Sequence, residues 1–540
     1  MAMIERETSA TQLPEADVST LKGQVPAAGG HVRIVKAASI IMGATILGRI
    51  AGYGREAVIA GLFGASAATD AFVVSNTIPG IFITLMTGVV GACYIPILAG
   101  FLARRREDEG WQVTRTLAVA TLVVVSLLAG LGALLAPYYI PWLAPGFDPA
   151  SQALAANLTR IQMGVLVLTG LGGLATAVLQ SYQRFAAPAL GPLALNLVVI
   201  GAALGLSGRL GVYALAYGFV GGAALQLTIQ IPALIQLRRA SGSIAAPLDF
   251  HHPALSEVAK LLPLVLVTSG VGLINVMVDR IFASALSEGS IAALSFADRV
   301  VEIPLGVFAA AIATAAFPAM AGHVARGDLD SLRQTQTLGL RSVSAITVPA
   351  AVGLMVLATP VIRLLFERGQ FDSQATSATA VALVFYAIGI IPSSWHQILM
   401  RTYYSLKDTR TPAVVGVFMI GLNALLDWLL VGPLGHAGLA LCTSIVAFVY
   451  VGTLAFLLKR RAGLMEWRPL ADALLRIGVA TAAMAGVAYL ASAWLGGRFG
   501  SHALSGQVVQ VGGAIACATA VYLVVAATLR LPEISLIGSL

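Results

Sequence analysis

The stretch GRIAGYGREAVIAGLFG (residues 48–64) is apolar enough to lie in a bilayer, yet it holds Arg49, Arg55 and Glu56. A charge at the bilayer centre costs about 2.5 to 3.5 kcal/mol on insertion scales, so such residues face a polar cavity or a partner rather than lipid. The rest of the chain shows that a bilayer is its solvent. Of 540 residues, 58% are hydrophobic and 11% charged, whereas soluble domains carry about 25% charge. The mean hydropathy is +0.87. Runs of about 20 apolar residues, the length that spans a hydrocarbon core, recur between residues 35 and 530 and divide into about fourteen expected helices.

This reading excludes a soluble enzyme and leaves a polytopic all-α membrane protein. Residues 1–34 are polar and lack the apolar core of a secretory signal, so they read as a disordered cytoplasmic tail. The cysteines, Cys93, Cys442 and Cys517, sit in apolar runs without C-x-x-C spacing and are expected to be small packing residues. Lys and Arg outnumber Asp and Glu by 33 to 25, and their placement is topological rather than a sign of nucleic acid. RRRED (104–108), Arg238-Arg239, LKDTR (406–410) and KRR (459–461) fall in loops on one side, while loops such as SEGS (287–290) on the other carry few bases. That bias puts both termini and the basic loops in the cytoplasm.

An internal repeat organises the helices. Arg55 matches Arg280, Gly64 matches Gly289, and Ile78-Pro79 matches Ile303-Pro304, all 225 positions apart. Pro188 matches Pro412, and Gly211 with Leu215-Ala216 matches Gly435 with Leu439-Ala440, at 224. Two parallel six-helix lobes follow, with a ligand site expected between them near mid-membrane. The expected divisions are the tail 1–34, an N-lobe 35–240, a C-lobe 241–465, and an appended helix pair with the C-terminal tail, 466–540.

The embedded charges mark the site. At about 100° per residue, Glu56 shares a face with Arg49, while Arg55 points roughly 120° away. The seventh and eighth helices repeat the theme with Asp279-Arg280 and FADRVVEIP (296–304), in which Arg299 and Glu302 share a face and Asp298 precedes them. Guanidinium groups bind phosphate bidentately and stay charged, so Arg49, Arg55, Arg280 and Arg299 are the candidate ligands of a phosphate or pyrophosphate. Glu56, Asp70, Asp298 and Glu302 are candidate gate or ion-pair residues, with N-capping open as an alternative role for Asp70. Pro79 and Pro304, at matching interior positions, are a candidate hinge pair.

Asp427-Trp428 reads as an interfacial anchor at a helix end, and His251-His252 as solvated loop residues. No metal-binding or catalytic signature is present, so the expectation is a transporter rather than an enzyme, without cofactor. Na+, H+ or the membrane potential are its candidate drivers.

The motifs GRIAGYGREAVIAGLFGASAATDAF (48–72), ADRVVEIPLGVF (297–308) and YYSLKDTRTP (403–412) resemble those of the MurJ (MviN) lipid II flippases of the MOP exporter superfamily. The resemblance implies a fourteen-helix flippase that carries the polyprenyl-pyrophosphate-linked peptidoglycan precursor to the outer leaflet by alternating access. It implies a cationic cavity lined by residues matching Arg49, Arg55, Asp298 and Arg299, and an acidic residue matching Asp70. Its partners would be the lipid-linked saccharide, membrane lipids and cell-wall synthesis proteins. The second helix departs from the family: where a basic pair and a glutamate are expected, it reads IPGIFITLMTG (78–88). Export of another lipid-linked oligosaccharide, such as an exopolysaccharide unit, stays open beside lipid II, as does a cation-coupled multidrug exporter.

Overall fold

In lipid a backbone must satisfy its own N–H and C=O groups, so each apolar run closes into helix. The computed structural model describes residues 29–241, 247–500 and 503–533, and among them there is no strand. The first half contains α1 (Gly29–Phe63), α2 (Ala67–Ser75), α3 (Thr77–Val89), α4 (Ile95–Ala103), α5 (Glu107–Leu143), α6 (Pro149–Ser181), α7 (Ala186–Leu210) and α8 (Tyr213–Ala240). The second contains α9 (Pro253–Ala283), α10 (Ser290–Pro304), α11 (Ala310–Ala325), α12 (Leu329–Val356), the short α13 (Ala358–Phe366), α14 (Ser373–Ile388), α15 (Ile390–Ser405), α16 (Arg410–Leu434) and α17 (His436–Ala462). Two more helices, α18 (Trp467–Phe499) and α19 (Leu504–Thr528), complete the chain.

Eleven spans are long and apolar enough to cross a membrane, or twelve if α14 and α15, bent by 41°, count as one. That count covers the described residues alone, and the long helices α1 and α9, each of which has side chains outside the described set, stand beside it. Helix α1 already begins at Gly29, ahead of the expected start at residue 35; residues 1–28 of the expected tail lie outside the described residues.

The repeat is visible in the backbone. Helices α7 and α16 have 25 residues each, with Pro188 and Pro412 third in their first turns. Both end at a glycine of nearly identical geometry, Gly211 at φ 54°, ψ −139° and Gly435 at φ 57°, ψ −136°. A Cβ disfavours that region, which explains why glycine stands at both places.

The prolines act differently from each other. The second span breaks at Asn76, between α2 and α3, ahead of Pro79 rather than at it. Pro79 has no N–H, so the Ser75 carbonyl is released from the helix ladder. The Thr159 hydroxyl donates to that carbonyl at 3.3 Å, and Gln162 Nε2 donates to the Ser75 hydroxyl at 2.8 Å. Pro304 ends α10, and a π-helical turn, Leu305–Ala309, carries the chain into α11. A second π-helical turn, Val90–Tyr94, joins α3 to α4.

Helices α18 and α19 pack on each other and on α12. They are tied there by Tyr522, whose hydroxyl donates to the Ala345 carbonyl at 2.6 Å, and by the Arg341–Glu533 ion pair at 2.6 Å. Cys442 is buried as expected, whereas Cys517 on α19 is exposed; the Cys93 side chain lies outside the described residues.

The distribution of core side chains positions the site. Toward the end where α1 finishes and α10 begins, one core joins both halves, with Ile59, Phe72 and Val74 from the first and Ile291, Phe296 and Phe371 from the second. Toward the opposite end the core divides. Tyr94, Leu98, Leu174 and Val178 pack within the first half, and Met320, Leu332, Leu399 and Tyr403 within the second.

Candidate functional site

Between α1 and α10, below the shared core, lies a crevice of about 430 Å³. Helix α1 lines it with Arg49, Tyr53, Arg55 and Glu56, and α10 with Arg299 and Glu302. Gly306 of the π-helical turn and Gln397 of α15 complete the wall. The sequence reading put Arg55 about 120° from the Arg49 face. The side chain is long enough to come back: its Nη1 donates to Asn196 Oδ1 of α7 at 2.9 Å, and its Nη2 meets Glu56 Oε1 at 2.5 Å. Its guanidinium also lies 5.0 Å from the Phe219 ring centroid, within cation–π range. Asn196 in turn donates to the Gly48 carbonyl at 3.1 Å, fixing α7 to α1.

The charges do not cancel. Arg299 pairs with Glu302 at 3.0 Å and reaches Glu56 at 3.8 Å, as the i, i+3 spacing predicts. Arg49 meets only a carbonyl, donating to Gly306 O across the crevice at 3.2 Å. Among the described lining residues, three guanidiniums face two carboxylates, and Arg49 is the one without a carboxylate partner. The Gly306 carbonyl sits in the π-helical turn, where the ladder shifts and main-chain oxygens become available.

Arg280 is the correction to the expected set of four arginines. It lies in the last turn of α9 and does not line the crevice. Its charge neighbours are Asp70, Asp298 and Asp279 instead. Asp298 is exposed on α10 beside Glu302 and Arg299 but is not part of the crevice wall.

Asp70 seals the end above the crevice. It does cap a helix, but not its own. Ser66 caps α2, while the Asp70 carboxylate crosses to the other half and accepts from Gly289 N–H at 2.6 Å and Ala292 N–H at 2.7 Å. Those are orphan donors at the start of α10, where negative charge is favoured. Gly289 has φ 85°, and a Cβ there would stand 2.3 Å from the Ala65 carbonyl, so only glycine permits this approach. Two further bonds cross between the halves: Gln370 N–H to the Gly61 carbonyl at 2.9 Å, and Gly146 N–H to the Ser284 hydroxyl at 3.1 Å.

The second half holds a buried acidic pair whose partnership is invisible in the sequence. Asn423 Nδ2 donates to Asp279 Oδ1 and to Asp427 Oδ2, each at 2.8 Å, and the Cys442 thiol donates to the Asn423 carbonyl at 3.4 Å. Asp427 is fully buried within α16, which corrects its reading as an interfacial anchor. His252 is likewise more than a solvated residue: its ring nitrogen accepts from Ala254 N–H and caps α9. Gln397, Asn196 and Asn423 were missed, although a lone amide in an apolar run is a signal for all three.

The model of the family described as Lipid II flippase MurJ matches residues 59–508. This chain belongs to that family. Lipid II flippase MurJ of Burkholderia cenocepacia is 31% identical over 448 residues, which are 81% of this chain and 86% of the relative. A probable lipid II flippase MurJ of Vibrio cholerae is 31% identical over 78% of this chain and 82% of its own length. Among solved structures, a lipid II flippase MurJ in an inward closed conformation matches with a TM-score of 0.76 at 23% identity, over 92% of this chain and 99% of that one. An inward-facing multidrug transporter of the MATE family matches at 0.62 and 13% identity, over 82% and 98%. Those two likenesses carry the fold alone. Membership of the MurJ family makes this a multi-pass inner-membrane protein with a transport role.

Proposed function

We propose that this chain moves lipid II from the inner to the outer leaflet by alternating access, with both termini cytoplasmic. One observation carries the reading: a crevice between two lobes, closed at one end by a shared core and holding an arginine with no carboxylate partner. Arg49 is free to receive a pyrophosphate oxygen, and Arg299 and Arg55 can exchange their carboxylates for it. Charge-assisted bidentate contacts of this kind are the strong ones. Asp298 and Glu302 would tune the positive field of α10 rather than touch cargo.

In this reading the sealed end faces outward, and Asp70 is the latch. Release of its two bonds to α10 would let the lobes part there, with the π-helical turn after Pro304 and the break before Pro79 taking up the change. Arg280, set among Asp70, Asp298 and Asp279, balances the latch charge. Asp279 and Asp427, sharing one amide, form a place where a cation, H+ or Na+, could be taken up to drive the cycle. The departure at 78–88 leaves the pyrophosphate to α1 and α10, which keeps another lipid-linked oligosaccharide as the second reading.

The test is reconstitution of the full chain in vesicles with fluorescent lipid II, following its exposure to an impermeant quencher. Exposure of lipid II that requires the chain and fails with Arg49→Ala supports the proposal. Vesicles in which the chain moves an exopolysaccharide precursor but not lipid II favour the second reading.

A further inference from the structure

A second chamber, of about 500 Å³, lies wholly within the first half, between α3, α6, α7 and α8. That is the size of a small-molecule site. It runs from the break at Asn76 to the turn between α6 and α7, and no described residue lining it is charged. Four side-chain amides, Asn76, Gln162, Gln180 and Gln226, face it together with Thr169 and Thr176.

Most of this hydrogen-bonding capacity is unspent. Gln162 uses its NH2 on Ser75 and keeps its carbonyl. Thr176 donates to Gln230, and Thr169 to the Val165 carbonyl, each hydroxyl retaining acceptor capacity. Gln180 and Gln226 have no side-chain hydrogen bond among the described residues. Amides in a membrane interior are costly unless something hydrogen-bonds to them, and around a hollow space that partner enters from outside the fold.

The chamber adjoins the arginine crevice. Phe219 lines the chamber, and the Arg55 guanidinium of the crevice lies over its ring at 5.0 Å. Leu195 lines the chamber while the next residue, Asn196, holds Arg55. A wall one side chain thick thus separates a cationic pocket from a neutral one rich in amides. From this geometry we infer that the chamber receives an uncharged, hydroxyl- and amide-bearing part of the cargo, its glycan, while the arginines hold the attached pyrophosphate. Amides donate and accept at once, which matches sugar hydroxyls and N-acyl groups, and Phe219, Pro192 and Leu195 supply apolar surface for a ring face. The inference rests on the proposed flippase role and assigns the glycan to residues that role does not use.

The experiment compares two probes, lipid II and sugar-free undecaprenyl pyrophosphate, titrated against the full chain in detergent and read by native mass spectrometry. The wild type should bind lipid II at least about tenfold tighter than the sugar-free lipid. Gln180→Leu with Gln226→Leu should remove about tenfold of lipid II affinity, the equivalent of two neutral hydrogen bonds, and leave the sugar-free lipid unchanged. Neither replacement breaks a bond within the protein, and Gln180→Leu alone, expected to cost about threefold, serves if the pair does not fold. Lipid II affinity unchanged in a variant with the wild-type melting temperature overturns the chamber and leaves the flippase reading standing. A wild type that binds neither lipid overturns both.

Discussion

Arg55 and Arg280 stand 225 positions apart at matching places in two related lobes, yet only Arg55 reaches the crevice. Arg55 lies against Phe219, bonds Asn196 and Glu56, and lines a pocket with an excess of positive charge. Arg280 is surrounded by Asp70, Asp279 and Asp298 at the sealed end. The same lobe that turns Arg280 away from cargo holds the Asp279–Asn423–Asp427 cluster. The difference teaches that duplication preserves backbone, as Gly211 and Gly435 show, while the charge set around each copy is free to diverge: Arg55 lies in a crevice with an excess of guanidiniums, Arg280 among carboxylates.

The sharpest way to break this comparison is to remove each arginine in turn. Arg55→Ala should lower lipid II transport by about 30-fold, in the range of one strong charge-assisted contact. Arg280→Ala should leave lipid II affinity within about twofold and lower the melting temperature, since it strands the buried Asp70 and the half-buried Asp279 without their cation. Equal losses of affinity from both would make the two arginines the same kind of residue.

Asp70→Ala tests the latch with a smaller effect. An N-cap carboxylate is worth about 0.5 to 2 kcal/mol, so opening at the sealed end should rise by roughly 2- to 30-fold. A single cysteine at Ala65, in a chain freed of Cys93, Cys442 and Cys517, reports it through labelling from outside by an impermeant maleimide. Unchanged labelling would remove Asp70 from the gate.

The smallest effect sharpens the charge balance of the crevice. Glu302 is more than half exposed, at 53%, and surface-like pairs contribute about 0 to 1 kcal/mol. Glu302→Gln should therefore tighten lipid II binding by no more than about fivefold, with a larger gain at low salt, where screening is weak.

The sequence made the fold class and the repeat legible because a bilayer imposes them: apolar length gives helices, and prolines and glycines recur where the backbone must bend. It also disclosed the Arg299–Glu302 pair, since i, i+3 spacing orders residues on one helix. Periodicity says nothing about the neighbouring helix. That is why the Asp70 bonds to α10, the sharing of Asn423 by Asp279 and Asp427, and the amide-lined chamber were not foreseen. Arg55, about 120° from the Arg49 face, reaches the crevice all the same, because a helical wheel locates a Cα whereas a long guanidinium side chain reaches around it.

The central claim is that Arg49, held only by the Gly306 carbonyl, waits for a pyrophosphate. Its most direct test is growth of bacteria depleted of their own lipid II flippase, carrying either this chain or its Arg49→Ala variant at equal membrane levels. Rescue by the first and death with the second is the predicted result. Equal rescue by both would contradict the account.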